Sequence, residues 1–317
     1  MGKLACLFPG QGAQNVGMGQ DLYKCFPSVQ NLFRKIDQIA TRPLSKLCFE
    51  GPADELKRTI NTQPTILAAS LAAWTAYREK GGPEPDFVAG HSLGEFSALY
   101  AASVLSLEDT VKLVCERARL MENCPPGAMS AVLGMRIERL NELCSQVSSQ
   151  YSDPNRCIIV ANFNTREQIV ISGDPQSVEE VGMLAKQEKA KVIPLAVGGA
   201  FHSPLMTEAA RQFTLLIEKS QFHPALYMVV QNYNAGASNE PSVVQEAIKK
   251  QMTTSVRWCE TIEFMLAQGV THFVELGPGR ALSGMVKKIA KSATICNVED
   301  TPSLEQTIAT LNNLITV

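Results

Sequence analysis

Charge imbalance is the first thing this chain lacks: its 317 residues carry 29 Lys and Arg against 31 Asp and Glu, a net charge of -2. That balance gives no global attraction to nucleic acid or to an anionic membrane. Histidine is scarce, at four residues, and the nine cysteines at positions 6, 25, 48, 115, 124, 144, 157, 259 and 296 show neither C-x-x-C nor Cys/His ligand spacing. No metal site is expected. The odd cysteine count and the lack of a secretory h-region favour reduced thiols and a cytoplasmic location. The chain opens instead on Lys3-Leu4-Ala5-Cys6-Leu7-Phe8, a strand pattern, and its most apolar helix-like stretch, Thr65 to Tyr77, is too short to span a bilayer. Internal repeats and low-complexity segments are absent as well. What remains, with 45% hydrophobic and 19% charged residues, is a globular chain with ample core. Its length suits one large domain with an insertion, or two unequal domains.

The most informative stretch present is Gly90-His91-Ser92-Leu93-Gly94. G-x-S-x-G directly after an apolar strand is how a serine is raised on a tight strand-to-helix turn for nucleophilic attack. Asp86-Phe87-Val88-Ala89 reads as the end of a buried strand, and Glu95 to Ala102 as a helix whose small residues can pack close to a sheet. The pattern by itself is weak, since a glycine-rich turn with an idle serine looks the same; strand and helix on either side carry the specificity.

From Met1 to about Cys124, strands and helical patterns alternate as in an α/β domain with a parallel sheet. Pro125-Pro126-Gly127 breaks this order. There follow a strand Ala128 to Met135, a helix Ile137 to Ser149, strands Cys157 to Asn162 and Gln168 to Ser172, a helix Pro175 to Glu188 and a strand Lys191 to Val197. That βαββαβ order is a ferredoxin-like unit. Gly198-Gly199 closes it, and strands near Tyr227 to Gln231, His272 to Leu276 and Thr294 to Val298 resume the first pattern. The expected architecture is therefore a large α/β-hydrolase-like domain with a parallel sheet, residues 1–127 and 198–317, with a ferredoxin-like subdomain, 128–197, inserted.

Two residues outside the elbow belong with Ser92. His202, in Gly199-Ala200-Phe201-His202-Ser203-Pro204, follows a strand, with Ser203 placed to cap and Pro204 to open the next helix. A histidine on such a loop suits a general base; the alternative is a helix-entry histidine on a solvated loop. His91 is expected to face away from the point of Ser92, and His223 and His272 sit in less revealing contexts. Arg117, on a helix from Leu107 to Asn123 opened by Ser106, has Leu113, Val114, Leu120 and Met121 as its i±3 and i±4 neighbours, all apolar. It faces inward, whereas Arg119 reads as surface. An unpaired buried charge costs roughly 3–5 kcal/mol, so Arg117 needs an anionic partner. That partner is either a structural carboxylate or a carboxylate substrate held by the guanidinium fork.

Gly10-Gln11-Gly12-Ala13-Gln14 also follows a strand, but it lacks the third glycine of G-x-G-x-x-G and any Walker Gly-Lys-Ser/Thr, so it is no phosphate cradle. Glycines around Gln11 instead suit a loop that brings backbone N–H groups close to a reacting carbonyl.

Together these segments resemble the malonyl-coenzyme A:acyl carrier protein transacylases, acyltransferases of fatty acid and polyketide synthesis. The resemblance covers essentially the whole chain. It rests on Phe8-Pro9-Gly10-Gln11-Gly12-Ala13-Gln14, Thr62-Gln63-Pro64, Gly90-His91-Ser92-Leu93-Gly94-Glu95 and Arg117. It continues in Asn162-Phe163-Asn164, Gln168-Ile169-Val170-Ile171-Ser172-Gly173, Gly199-Ala200-Phe201-His202-Ser203 and Glu275-Leu276-Gly277-Pro278-Gly279. One departure is the turn Asn164-Thr165-Arg166-Glu167-Gln168, which the family often writes Asn-Ser-Pro-Gly-Gln.

The resemblance implies that Ser92, activated by His202, forms a malonyl-serine from malonyl-CoA. The phosphopantetheine thiol of an acyl carrier protein then accepts the malonyl group. It implies backbone amides of Gln11 and Leu93 as the oxyanion hole, and a backbone carbonyl at Gln251, not an Asp, as the group that orients His202. Arg117 is then the partner of the malonyl carboxylate, with Met121 and Asn162 in the pocket. Phe201 leaves little room for a methyl branch, as in the malonyl-selective polyketide acyltransferases. No permanently bound cofactor is implied, and a monomer is expected. Carriers of this kind are acidic, so Lys287, Lys288 and Lys291, with Lys186, Lys189 and Lys191, are candidate docking groups; ordinary solvated faces are the alternative. Two other functions stay open on the elbow alone: a serine thioesterase or other hydrolase, and an inactive carrier-binding scaffold. The hydrolase needs no inward arginine, and the scaffold needs neither Ser92 nor His202.

Overall fold

The structure is a computed structural model that describes residues 2–151, 153 and 156–315. In chain order its strands are β1 (Lys3–Phe8), β2 (Phe87–Gly90), β3 (Ala128–Leu133), β4 (Ile158–Thr165), β5 (Gln168–Gly173), β6 (Lys191–Pro194), β7 (Met228–Val230), β8 (Ala237–Ser238), β9 (Val270–Leu276) and β10 (Thr294–Val298). They form two sheets. A six-stranded sheet has the order β10-β9-β1-β2-β7-β8, parallel throughout except for β8, which pairs antiparallel with β7. The second has the order β4-β5-β3-β6 and is antiparallel.

The near-continuous apolar runs of β1 and β2 are buried on both faces, as strands inside a helix-covered parallel sheet must be. Helix Thr59–Glu79 packs against this core and is buried round most of its circumference, Thr62, Gln63 and Ser70 included. That explains why it shows no amphipathic stripe. Helix Leu107–Glu122 is amphipathic. Ser106 caps it, its hydroxyl accepting from the Asp109 amide at 3.0 Å, and Val111, Leu113, Val114, Arg117, Leu120 and Met121 form its buried stripe. Burial of Arg117 follows the apolar spacing of its neighbours.

The small sheet separates its two faces by alternation. Val132, Ile169 and Ile171 point to helices Ile137–Ser148 and Pro175–Gln187, where they join Leu140, Leu143 and Val181 in a core of their own. Met129, Ala131 and Val170 point the other way, into the main core and the cavity described below. The largest differences from the expected boundaries are at the ends of two strands. Strand β4 runs on to Thr165 because its edge also bonds the chain at Val256: the Val256 amide donates to Ala161 O at 2.8 Å and the Phe163 amide to Val256 O at 2.9 Å. Strand β6 stops at Pro194, although the Leu195 amide still donates to Met129 O at 2.9 Å. The altered turn keeps a tight hairpin, Thr165 pairing with Gln168 across Arg166-Glu167, and Arg166 pairs with Glu263 at 2.9 Å.

Candidate active site

The serine elbow is held by close backbone packing and by backbone strain. A Cβ added at Gly90 would lie 1.9 Å from the carbonyl carbon of Gly94, and one at Gly94 would lie 2.0 Å from Phe8 O. Only glycine lets strand, turn and helix cross that closely. Ser92 between them has φ 52, a left-handed conformation that a non-glycine residue keeps only when its surroundings enforce it. They do so at both ends of the residue. The Ser92 amide donates to Asn232 Oδ1 at 2.7 Å, and Ser92 O accepts from Gln251 Nε2 at 2.9 Å.

Ser92 Oγ lies 2.7 Å from His202 Nε2. His202 also sits at positive φ, 59, and is 4% exposed, which removes the solvated-loop alternative. Its Nδ1 is 3.0 Å from Gln251 O and 3.2 Å from Thr254 O. Both partners are acceptors only, so Nδ1 carries the proton and Nε2 is left free to accept the serine's. Burial, and next the positive charge of Arg117, push the His202 pKa down to about 3. The imidazole is therefore neutral at physiological pH, as a general base must be.

Arg117 is 1% exposed. Its Nη1 donates to Gln63 Oε1 at 2.7 Å; its Nη2 donates to Gln251 Oε1 at 3.0 Å and to Ser92 Oγ at 3.1 Å. The Phe96 ring lies 5.7 Å from its Cζ, and its Nε has no partner among the described residues. Among the described residues no carboxylate stands within ion-pair distance of it. Burial lowers its pKa to about 10, so it stays a cation at neutral pH. A buried guanidinium held directly by amide oxygens, with no acid in contact, has the chemistry to bind an anion beside Ser92.

These groups border one cavity of about 270 Å³ between the two sheets. Met121, Asn162 and Phe201 line it, as do Gln11 and Leu93. Met121 Sδ also accepts from Gln63 Nε2 at 3.2 Å. No acceptor among the described residues takes the amides of Gln11 and Leu93, so both remain available to a bound oxyanion. His91 turns its Nε2 to Asn164 Oδ1 at 2.7 Å, away from Ser92 as expected, but it also forms part of the cavity wall. The lysines lie outside: Lys186, Lys189, Lys191, Lys287, Lys288 and Lys291 are all exposed. Helix Ala281–Ile289 presents its first turns to the cavity through Ala281, Leu282 and Met285, while Lys288 and Lys291 border a separate groove with Arg166. Gln63, Glu95, Asn232 and Thr254 were not assigned from sequence. Gln63 and Glu95 lie in segments with a visible motif; Asn232 and Thr254 carry no local signal.

A family model described as "Acyl transferase domain" matches residues 6–310. The chain belongs to the acyl transferase family. It is 42% identical over 315 residues to the malonyl CoA-acyl carrier protein transacylase of Bacillus subtilis (strain 168), covering 98% of each chain. The enzyme of the same name from Staphylococcus aureus (strain MRSA252) is 38% identical over 303 residues, with 94% of this chain and 96% of that one covered. Among solved structures, FabD from Acinetobacter baumannii superposes with a TM-score of 0.93 at 36% identity over 99% of each chain. A malonyl-transacylase in complex with its type II PKS acyl-carrier protein gives 0.92 at 36% identity, over 97% of this chain and 99% of that one. Every residue of the cavity wall named above falls inside the acyl transferase match.

Proposed function

We propose that this protein transfers the malonyl group of malonyl-CoA to the phosphopantetheine thiol of an acyl carrier protein in fatty acid synthesis, through a malonyl-serine at Ser92. The observation that carries the reading is Arg117: a buried cation that no carboxylate of the described residues touches directly, its Nη2 3.1 Å from Ser92 Oγ. The Ser92 proton passes to His202 Nε2 as Oγ bonds to the thioester carbon. The Gln11 and Leu93 amides receive the oxyanion. Collapse breaks the C–S bond, and the coenzyme A sulfur takes the proton from His202. The carrier's thiol then repeats the sequence in reverse, losing its proton to His202 as it attacks the malonyl ester, and Ser92 Oγ regains that proton as it leaves. Throughout, the malonyl carboxylate pairs with Arg117, Met121 and Asn162 shape the pocket, and the Gln251 carbonyl keeps the His202 tautomer.

The finer organisation we propose has an α/β-hydrolase-like part, 1–127 and 198–317, and a ferredoxin-like subdomain, 128–197. The βαββαβ chain order and the strand order β4-β5-β3-β6 support the latter. We propose a monomer as the working unit. The carrier docks on the exposed Lys287 and Lys288, with Lys186, Lys189 and Lys191 of the 128–197 subdomain as further docking groups. A polyketide carrier is the second reading, favoured by the structural neighbour solved with a type II PKS acyl-carrier protein.

Intact-mass analysis after addition of malonyl-CoA, then of carrier protein, tests the function. One malonyl group should appear on Ser92 and leave only when carrier is added. Labelling that persists in Ser92→Ala, or that water removes as fast as carrier does, would replace transfer by another chemistry.

A further inference from the structure

Behind Ser92 lies an acid that the transfer steps do not use. Glu95 is 1% exposed on the first turn of helix Gly94–Ala101. Its Oε2 accepts from Gln251 Nε2 at 2.6 Å and from the Asn232 backbone amide at 3.4 Å, while its buried Oε1 has no partner among the described residues. The same Gln251 amide accepts from Arg117 through Oε1. One side-chain amide therefore stands between a buried carboxyl and a buried guanidinium, its donor end toward the acid and its acceptor end toward the cation. Flipping it would place a donor against a donor-only group, so the two charges hold it in a single orientation.

Elements packed around the Glu95 helix are β1, β2 and helices Thr59–Glu79, Leu107–Glu122 and Thr207–Ile217, and Asn232 and helix Pro241–Gln251 reach Glu95 itself. Among the described residues, Arg117 is the one charge that acts on Glu95, and Glu95 is the one acid that acts on Arg117. The neutral His202 lies across Ser92.

We propose that Glu95 is the resident counter-ion of Arg117, bridged through Gln251, and that the acyl carboxylate takes over this role when the site is loaded, Glu95 then binding a proton from solvent. The proposal rests on the malonyl-transfer reading above. Two carboxylates sharing one buried guanidinium leave a negative charge without compensation, and a proton removes it. The resident group is suited to accept that proton, since burial already raises Glu95 to about 7 against the opposing pull of Gln251, Asn232 and Arg117. Neutralising Arg117 cancels the last of these, and a new anion nearby pushes in the same direction. Glu95 so acts as a positioning residue, tuning the arginine without touching substrate.

The test uses the whole enzyme in weakly buffered solution near pH 7.5 with a pH indicator, and intact mass to count acyl-serine. Malonyl-CoA should cause uptake of a sizeable fraction of one proton per malonyl-serine formed; acetyl-CoA, which brings no carboxylate, should cause none beyond the shared release of coenzyme A. Glu95→Gln should abolish the difference. It should also lower the KM for malonyl-CoA at pH 8 by about 3- to 10-fold, because the competing resident anion is gone, and leave the KM for acetyl-CoA unmoved. A merely structural role would harm both substrates alike. Equal proton uptake with the two substrates overturns the proposal, as does uptake that survives in Glu95→Gln or an unmoved malonyl KM there. If Glu95→Gln does not fold, the wild-type comparison decides alone. Failure of the wild type to form malonyl-serine would sink the transfer reading itself, a separate outcome from malonyl-serine formed without differential uptake.

Discussion

Replacing Arg117 by alanine separates recognition of the acyl carboxylate from every other contribution of the site. With Nη2 3.1 Å from Ser92 Oγ, a carboxylate two bonds beyond the ester carbon meets the guanidinium at hydrogen-bond range. Opposite charges about 4 Å apart attract by about 4 kcal/mol at an effective dielectric near 20. Desolvating the carboxylate reduces this and the guanidinium fork's hydrogen bonds restore part of it, so malonyl transfer should lose about 2–5 kcal/mol. At 1.36 kcal/mol per decade the loss is roughly 30- to 5,000-fold in kcat/KM. The variant also leaves Gln63 Oε1 and Gln251 Oε1 without their donor, a penalty that acetyl and malonyl transfer share. The decisive quantity is therefore the malonyl-to-acetyl ratio of kcat/KM, measured with the same carrier. It should swing toward acetyl by at least tenfold. Arg117→Lys should fall between, since it keeps the charge and loses the planar fork. Equal losses for both acyl groups would show that Arg117 serves the fold and not the substrate, and would refute the assignment.

His202→Ala should slow acylation by roughly 10²- to 10⁴-fold. In the wild type, the folded pKa of about 3 lies below the ordinary value of 6.5, so the neutral base persists as pH falls and acylation should show no His202-dependent loss from pH 8 down to about 5; stopped-flow burst rates check this, and an acidic limb near 6.5 that disappears in His202→Ala would contradict it. Phe201, 5% exposed and next to the base, should restrict the α-carbon, so Phe201→Ser should improve methylmalonyl relative to malonyl use by about 1–3 kcal/mol in competition assays. Equal use of both substrates by the wild type would remove the size argument. Reversing Lys287 and Lys288 to Glu should raise the KM for carrier and alter its salt dependence, with malonylation of Ser92 unchanged; carrier kinetics indifferent to both charge and salt would end the docking proposal.

What could be read from the sequence was what short-range rules dictate. The elbow needs glycines two residues either side of Ser92, a strand before and a helix after, all within one contiguous stretch. The burial of Arg117 followed from neighbours three and four positions away on one helix. The βαββαβ order of the small sheet showed because hydrophobic period changes at each element. The order of strands within the large sheet was not legible, nor was β8, whose two residues, Ala237 and Ser238, are too few to show alternation. The extension of β4 to Thr165 depends on Val256, nearly a hundred positions on, which no local pattern announces.

The polar groups behind the site escape sequence reading for the same reason, and their geometry shows why they matter. Asn232 holds the Ser92 amide from 140 positions away, and its Nδ2 grips Gly90 O at 2.7 Å, so one side chain spans the elbow and resists relaxation of its strained turn. Gln251 does more. Its main-chain carbonyl, with that of Thr254, sets the tautomer of His202, while its side chain binds Arg117, Ser92 O and Glu95. A family motif points to the carbonyl alone, because a backbone group orienting a histidine leaves the residue type free. The side chain is under a different constraint: it must accept from a cation and donate to two acceptors at once, and a primary amide of that reach meets both demands. On the proposed reading, base orientation and acid recognition pass through one residue. Any shift of helix Pro241–Gln251 would disturb the two functions together.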